Sequence, residues 1–171
     1  WVVANMPKGV VTAVLTGIEG HTNAADRYNG FMEAAGDHVK LVATQTANWE
    51  VDQGYTAAQN IIMANPDLQL IVCGNDNMGL GALSAVQEAG LEKQIAIIGF
   101  DAVSEALAKV KSGEFLGTVA QYPAKMGEMG VDAMLEVLKG NKVPLTTDTG
   151  CELVTAENVD AFIEYVSQFV D

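Results

Sequence analysis

Three apolar runs in the middle of this chain each stop at a polar residue able to meet a hydroxylated ligand. The run 71–74 (IVCG) stops at Asn75, 95–99 (IAIIG) stops at Phe100 and Asp101, and 117–120 (GTVA) stops at Gln121. An amide both donates and accepts, and an ionised carboxylate offers several acceptor sites for charge-assisted bonds. Amide, carboxylate and amide on one rim suit a polyhydroxylated ligand better than they suit a reaction. No nucleophile–base pair stands out, because His21 and His38 have no evident Ser or Cys partner. GLGAL lies inside a helical pattern rather than between a strand and a helix, so it is no phosphate loop. NDNMGLG has too few carboxylates for a calcium loop, and Cys73 and Cys151 match no zinc spacing. No catalytic residue, metal or cofactor is expected.

The elements that must hold this rim follow from the apolar pattern. Short apolar runs alternating with helical periodicity read as parallel strands in βαβ units, whose ligands lie beyond the carboxyl ends of the strands. Strands are expected at 10–15, 39–43, 68–73, 95–98 and 117–120, and 45–49 reads as a loop. Helices are expected at 22–35, 50–64, 76–89, 103–111, 123–139 and 157–170, with 146–155 extended. In the first helix Ala25, Tyr28, Phe31, Met32 and Ala35 recur at helical spacing and should face the sheet. Asp76 is the expected N-cap of its helix and Gly90 the C-terminal stop. The last helix should bury Phe162, Ile163, Val166 and Phe169. The fold class is α/β: a parallel, Rossmann-like sheet with right-handed crossovers and helices on both faces.

Bulk properties agree. A length of 171 residues with 49% hydrophobic content gives a globular domain with a real core. A net charge of -13 argues against nucleic acid and anionic membrane surfaces as partners. No apolar run is long enough to span a bilayer. Cys73 sits in a predicted core strand, where a buried inert thiol is the usual case, so a bond to Cys151 is not expected. The opening WVVANM reads as the last turns of a helix stopped near Pro7 and Gly9, as though the N-terminal part of a longer chain were missing. The lack of a signal peptide then says nothing of compartment.

Five segments in order carry a resemblance: GHTNAADRYNGF, TANWEVDQG, CGNDNMGLGAL, IIGFDA and GTVAQYP. Together they resemble the periplasmic sugar-binding proteins of the ribose and glucose/galactose type, the substrate-binding components of ABC importers. The resemblance covers essentially the whole chain but only the second of that family's two lobes. It implies a second-lobe α/β core at 1–121, a helix and linker at 122–147 that would belong to the absent first lobe, and a return strand and C-terminal helix at 148–171.

It also implies site roles. Trp49 matches the aromatic that stacks on a pyranose, Asp101 the carboxylate for sugar hydroxyls, Asn75 the strand-end amide and Gln121 the amide at the hinge crossing. Phe100 matches a position that is aromatic in ribose binders, either a second stacking face or core. Ribose binders carry an Arg ligand where this chain has Ala25, so that contact is missing. The glucose/galactose binders place His, Asp and Arg at the positions of His21, Asn23 and Arg27, so here the Asp is replaced by Asn. Arg27 could fork onto adjacent hydroxyls or pair with Asp26 or Glu33 at the surface, and His21 and Asn23 could equally be loop and capping residues.

The function this implies is non-enzymatic binding of a monosaccharide or polyol in a cleft between two lobes, with a membrane permease as partner. The intact protein would be periplasmic, or lipid-anchored and extracellular. The alternative is the effector-sensing core of a lactose-repressor-type protein, which would need a DNA-binding headpiece upstream. An enzyme or phospho-acceptor on a doubly wound sheet ranks below both. The stripe Met126, Met134, Val137 and Leu138 on helix 123–139 would lack its natural neighbours, so a homodimer or local disorder of that helix is expected.

Overall fold

The computed structural model describes residues 1–169. Its elements in chain order are α1 Val2–Asn5, β1 Val10–Thr16, α2 Thr22–Ala35, β2 Val39–Thr46, α3 Val51–Ala64, β3 Leu70–Cys73 and α4 Asp76–Glu88. Then come β4 Ala96–Asp101, α5 Ser104–Ser112, β5 Gly117–Ala120, α6 Pro123–Leu138, β6 Glu152–Thr155 and α7 Val159–Ser167. The expected alternation is present, and the helical reading of the opening residues holds as α1. Val170 of the expected last helix lies outside the described residues.

The strands form one six-stranded sheet in the order β2-β1-β3-β4-β5-β6. The first five run parallel, whereas β6 runs antiparallel to β5 with Gly117 opposite Thr155 and Ala120 opposite Glu152. The expectation of a wholly parallel sheet is corrected at this edge, because the chain returns from α6 in the opposite sense. β1 lies between β2 and β3, so the direction of winding reverses there, and the ends of β1 and β3 open a crevice suited to a ligand.

β2 is longer than its side-chain pattern implies. Thr44, Gln45 and Thr46 pair with Val14, Leu15 and Thr16 after a register shift that leaves Val42 bulged. Backbone pairing with β1 extends the strand where polar side chains suggest a loop.

Both faces carry helices, but unequally. One face of the sheet buries Leu15, Ile71 and Ile97 against Ala58 and Ile61 of α3, Met78 and Val86 of α4, and Val110 of α5. Each fully buried aliphatic side chain here contributes about 1.5–3 kcal/mol of transfer free energy. On the other face Val2, Val10, Leu70 and Ile98 form a smaller buried cluster, with Phe31 of α2 packed against it. Ala24 and Ala35 are the buried residues of α2, while Ala25 is exposed, which corrects the expected inward set by one position. Between α2 and the sheet lies a cavity of about 550 Å³, with Val14, Val72, Ile98, Val119 and Leu153 among its apolar lining.

α6 has no buried residue, and Met134 and Leu138 are 62% and 79% exposed. In α7 Phe162 is buried, but Ile163 is exposed, as is Phe169 just beyond the helix, so the expected apolar face is only half used. Cys73 is buried and Cys151 exposed, and both are free thiols.

Candidate functional site

The strand ends converge on one ledge. Asp101 closes β4 opposite Ala120 of β5, so Gln121, one residue on, reaches it: Gln121 Nε2 donates to Asp101 Oδ1 at 2.7 Å. Arg27 approaches from α2 and places Nη2 3.3 Å from the same oxygen. Its Nη1 donates to the Gly74 carbonyl at 2.6 Å, at the end of β3. The guanidinium lies over the Phe100 ring at 3.9 Å and over the Trp49 ring at 5.4 Å. A cation over two aromatic faces, with one nitrogen on a carboxylate and the other on a backbone carbonyl, is held in one orientation by charge and by the ring quadrupoles. Arg27 therefore pairs with Asp101 across the fold, not with Asp26 or Glu33 along its own helix.

Trp49 reaches the ledge because two glycines leave room for it. A Cβ on Gly17, after β1, would lie 1.9 Å from the indole, and one on Gly74 would lie 3.2 Å from it. Asn75 holds the loop from beneath. Its Nδ2 donates to the Trp49 carbonyl at 3.2 Å and its Oδ1 accepts from Met78 N at 3.0 Å. Asn75, not Asp76, is thus the N-cap of α4. It is only 7% exposed, with one amide hydrogen and one lone pair left uncommitted by these two bonds.

Backbone strain collects at the same place. Among the described residues, Asn48, Trp49, Asp101 and Ala102 are the non-glycine positions with positive φ, at 52°, 70°, 111° and 54°. Such conformations cost about 1–3 kcal/mol each and persist where surrounding structure enforces them, commonly at ligand sites. Two strained pairs, one carrying the indole and one the carboxylate, flank the ledge.

His21 and Asn23 are less committed. His21 is the N-cap residue of α2 without a side-chain cap bond, and Asn23 in the first turn is exposed. Neither side chain is hydrogen-bonded to the Arg27–Asp101 group. Phe100 is half-buried, and its face is occupied by Arg27.

Asp76 is the residue that sequence reading misjudged. It is fully buried, and Oδ1 accepts from Thr118 Oγ1 at 2.7 Å while Oδ2 accepts from Val103 N at 2.9 Å. Burial pushes its carboxyl up to about 6, against the opposing effect of these hydrogen bonds. Burial likewise pushes the Cys73 thiol up, which keeps it neutral. No group of His, Cys, Asp and Glu among the described residues is placed to hold a metal. No helix among them is long and apolar enough to cross a membrane.

The chain is thus a doubly wound α/β lobe with ionic, amide and aromatic groups gathered at its strand ends. The chain belongs to the periplasmic binding protein family, whose domain model matches residues 1–142. It is 34% identical over 155 residues to the ribose import binding protein of Bacillus subtilis, covering 91% of this chain and 50% of that protein. It is 35% identical to the D-allose-binding periplasmic protein of Escherichia coli, covering 80% of this chain and 44% of that one.

Among solved structures, a periplasmic solute-binding protein of an ABC transporter from Actinobacillus succinogenes, with bound D-allose, superposes with a TM-score of 0.86 at 32% identity. That match covers 90% of this chain and 54% of the other. A Caulobacter myo-inositol binding protein superposes at 0.83 with 35% identity, covering 94% and 56%. The chain spans about half the length of the curated relatives it matches. Its family is one of binding proteins.

Proposed function

We propose that this chain is a ligand-binding lobe of the substrate-binding component of an ABC importer, and that its ligand is a monosaccharide or a cyclic polyol. One observation carries the reading: Asp101 is held between Arg27 and Gln121, and the same Arg27 lies over the rings of Trp49 and Phe100, so carboxylate, amide, cation and aromatic groups share one ledge. A sugar presents apolar C–H faces and a belt of hydroxyls. Trp49 would take the first and the charged and amide groups the second. Ribose, allose and myo-inositol, named for relatives or found bound in them, have this chemistry. Those relatives are import or binding components, which supports the importer reading over a repressor core. The role is binding without catalysis.

A second lobe would supply the other half of the cage, and hinge closure would exclude water from it. Asp101, Gln121, Arg27 and Trp49 are the principal ligand residues of this half, with Phe100, Asn75, His21 and Asn23 as further candidates. Residues 122–147 would belong to that other lobe, the family's first, and without it the α6 stripe would pair with another copy's or lose order. The assembled protein would work in the periplasm, or lipid-anchored outside the cell, and deliver sugar to a membrane permease.

Calorimetry and NMR titration with D-ribose, D-allose, D-glucose, D-galactose and myo-inositol test the site. One open lobe should bind in the millimolar range, equivalent to about 4 kcal/mol. Shifts should be largest at Trp49, Asp101, Gln121 and Arg27. Absence of any shift at these residues with every sugar overturns the site, and micromolar affinity in a monomer overturns the half-cage.

A further inference from the structure

The buried Asp76 carboxylate touches none of the principal ligand residues Asp101, Gln121, Arg27 and Trp49, yet it is bonded to the turn that presents Asp101. Residues 101–103 leave β4 with Asp101 and Ala102 in left-handed backbone, a conformation that favours glycine. Two bonds hold the turn: Val103 N donates to Asp76 Oδ2 at 2.9 Å, and Ala102 N donates to Thr118 Oγ1 at 3.2 Å. The Thr118 hydroxyl donates in turn to Asp76 Oδ1 at 2.7 Å. Carboxylate, hydroxyl and two backbone amides therefore link α4, β5 and the turn. A Cβ on Gly99 would lie 2.0 Å from Asp76 Oδ1, so the strand beneath is shaped to admit the carboxylate.

We propose that Asp76 is the positioning residue of the ledge, holding the 101–103 turn in its strained backbone so that Asp101 meets Arg27 and Gln121. Both Asp76 oxygens act as acceptors in this network, which only the ionised form allows without rearrangement. Protonation removes one acceptor and loosens the turn locally. The loosened turn keeps the carboxyl buried but loses the two hydrogen bonds that favour its ionised form, so acid promotes this local opening even though it opposes global unfolding, which exposes the group. Burial raises this carboxyl to about 6, so the change falls within reach of mild acid.

The neighbouring titratable groups are few. Cys73, from β3, stays neutral, and Asp101, from β4, raises Asp76 further. On α3, Tyr55 bonds to Glu88. On α5, Glu105 is exposed and Lys109 pairs with Glu114. The direction of Asp101 matters for binding only if the proposed function holds, but the brace is measured without any sugar, so the two readings fail separately.

Amide exchange followed by NMR on the full chain, expressed as protection relative to an unstructured peptide, tests the brace. Protection of Val103 should fall about tenfold between about pH 7.5 and about pH 5, while Ile97 in mid-strand stays protected. The Gln121 side-chain amide signals, which report the Asp101 carboxylate, should move with the same midpoint. Asp76→Asn should remove this pH dependence. Thr118→Val, nearly isosteric, should deprotect Ala102 with the fold intact and provides the test if Asp76→Asn does not fold. Unchanged protection of Ala102 in Thr118→Val, or a Val103 protection that is flat with pH in the wild type, overturns the proposal.

Discussion

Arg27 of α2 and Asp101 of β4 meet at 3.3 Å across the ledge, and the pair joins the thinly covered face of the sheet to its strand ends. Both side chains remain partly accessible, at 18% and 31%. An incoming hydroxyl can therefore reach the carboxylate without breaking the core. Exposure of this degree also limits what the pair contributes to stability, because water screens it.

Asp101→Ala should separate binding from folding. Sugar affinity should drop about 10- to 100-fold, in line with the loss of charge-assisted hydrogen bonds. The urea midpoint should shift by less than about 1 kcal/mol equivalent, as for an accessible ion pair. Titration calorimetry and urea denaturation on the same preparation check both halves. A large loss of stability would mean that the carboxylate is a structural part rather than a ligand.

Gly17→Ala should disable the indole from a distance. The added methyl would sit 1.9 Å from the Trp49 ring, and a rigid indole must move to admit it. Weaker sugar binding is expected, together with a red-shifted Trp49 emission read in a Trp1→Phe background. Unchanged emission would show that the ring finds its place without the glycine.

Asp76 should give folding stability a pH dependence of unusual sign. Its carboxyl is raised from 3.8 to about 6 in the folded state, so the native form binds more protons than the unfolded form between those values. Stability due to this group is therefore greatest below about pH 4 and declines as pH rises through about 6. At about 1.4 kcal/mol per unit the decline amounts to about 3 kcal/mol. Urea denaturation of wild type and Asp76→Asn across this range should show a difference that changes with pH in that direction. A difference independent of pH would show that the carboxyl titrates normally.

The exposed stripe on α6 should drive association. Met134, Val137 and Leu138 are each more than half exposed on one helix. Sedimentation should reveal a concentration-dependent dimer, and Met134→Glu with Leu138→Glu should restore the monomer. A wild-type monomer whose α6 amides are protected from exchange contradicts this.

Much of the architecture was legible because strands and helices bury apolar side chains at different periods. β1, β3, β4 and β5 announce themselves as short apolar runs, and their polar stops, Asn75, Asp101 and Gln121, fall at the strand ends where a parallel sheet places its ligands. The misreadings have specific causes. β2 runs on through Thr46 because main-chain pairing with β1 ignores side-chain polarity. β6 is antiparallel because strand direction depends on how the chain returns, which no local pattern records. α2 turns Ala24 rather than Ala25 inward because its contact with the sheet is sparse, so periodicity alone defines its face poorly.

The sequence by itself determined the α/β class, the order of its elements, the resemblance to sugar receptors and the residue types available at the rim. Tertiary structure alone decided how those residues are used. It set Arg27 on Asp101 across 74 residues of chain (101 minus 27). It committed Asn75 to capping α4 and bracing Trp49, and it buried Asp76 beneath the turn that carries the carboxylate. The physical reason is that hydrogen bonds and ion pairs act over a few ångströms in space. Composition and periodicity report only which groups exist and which face of an element they occupy.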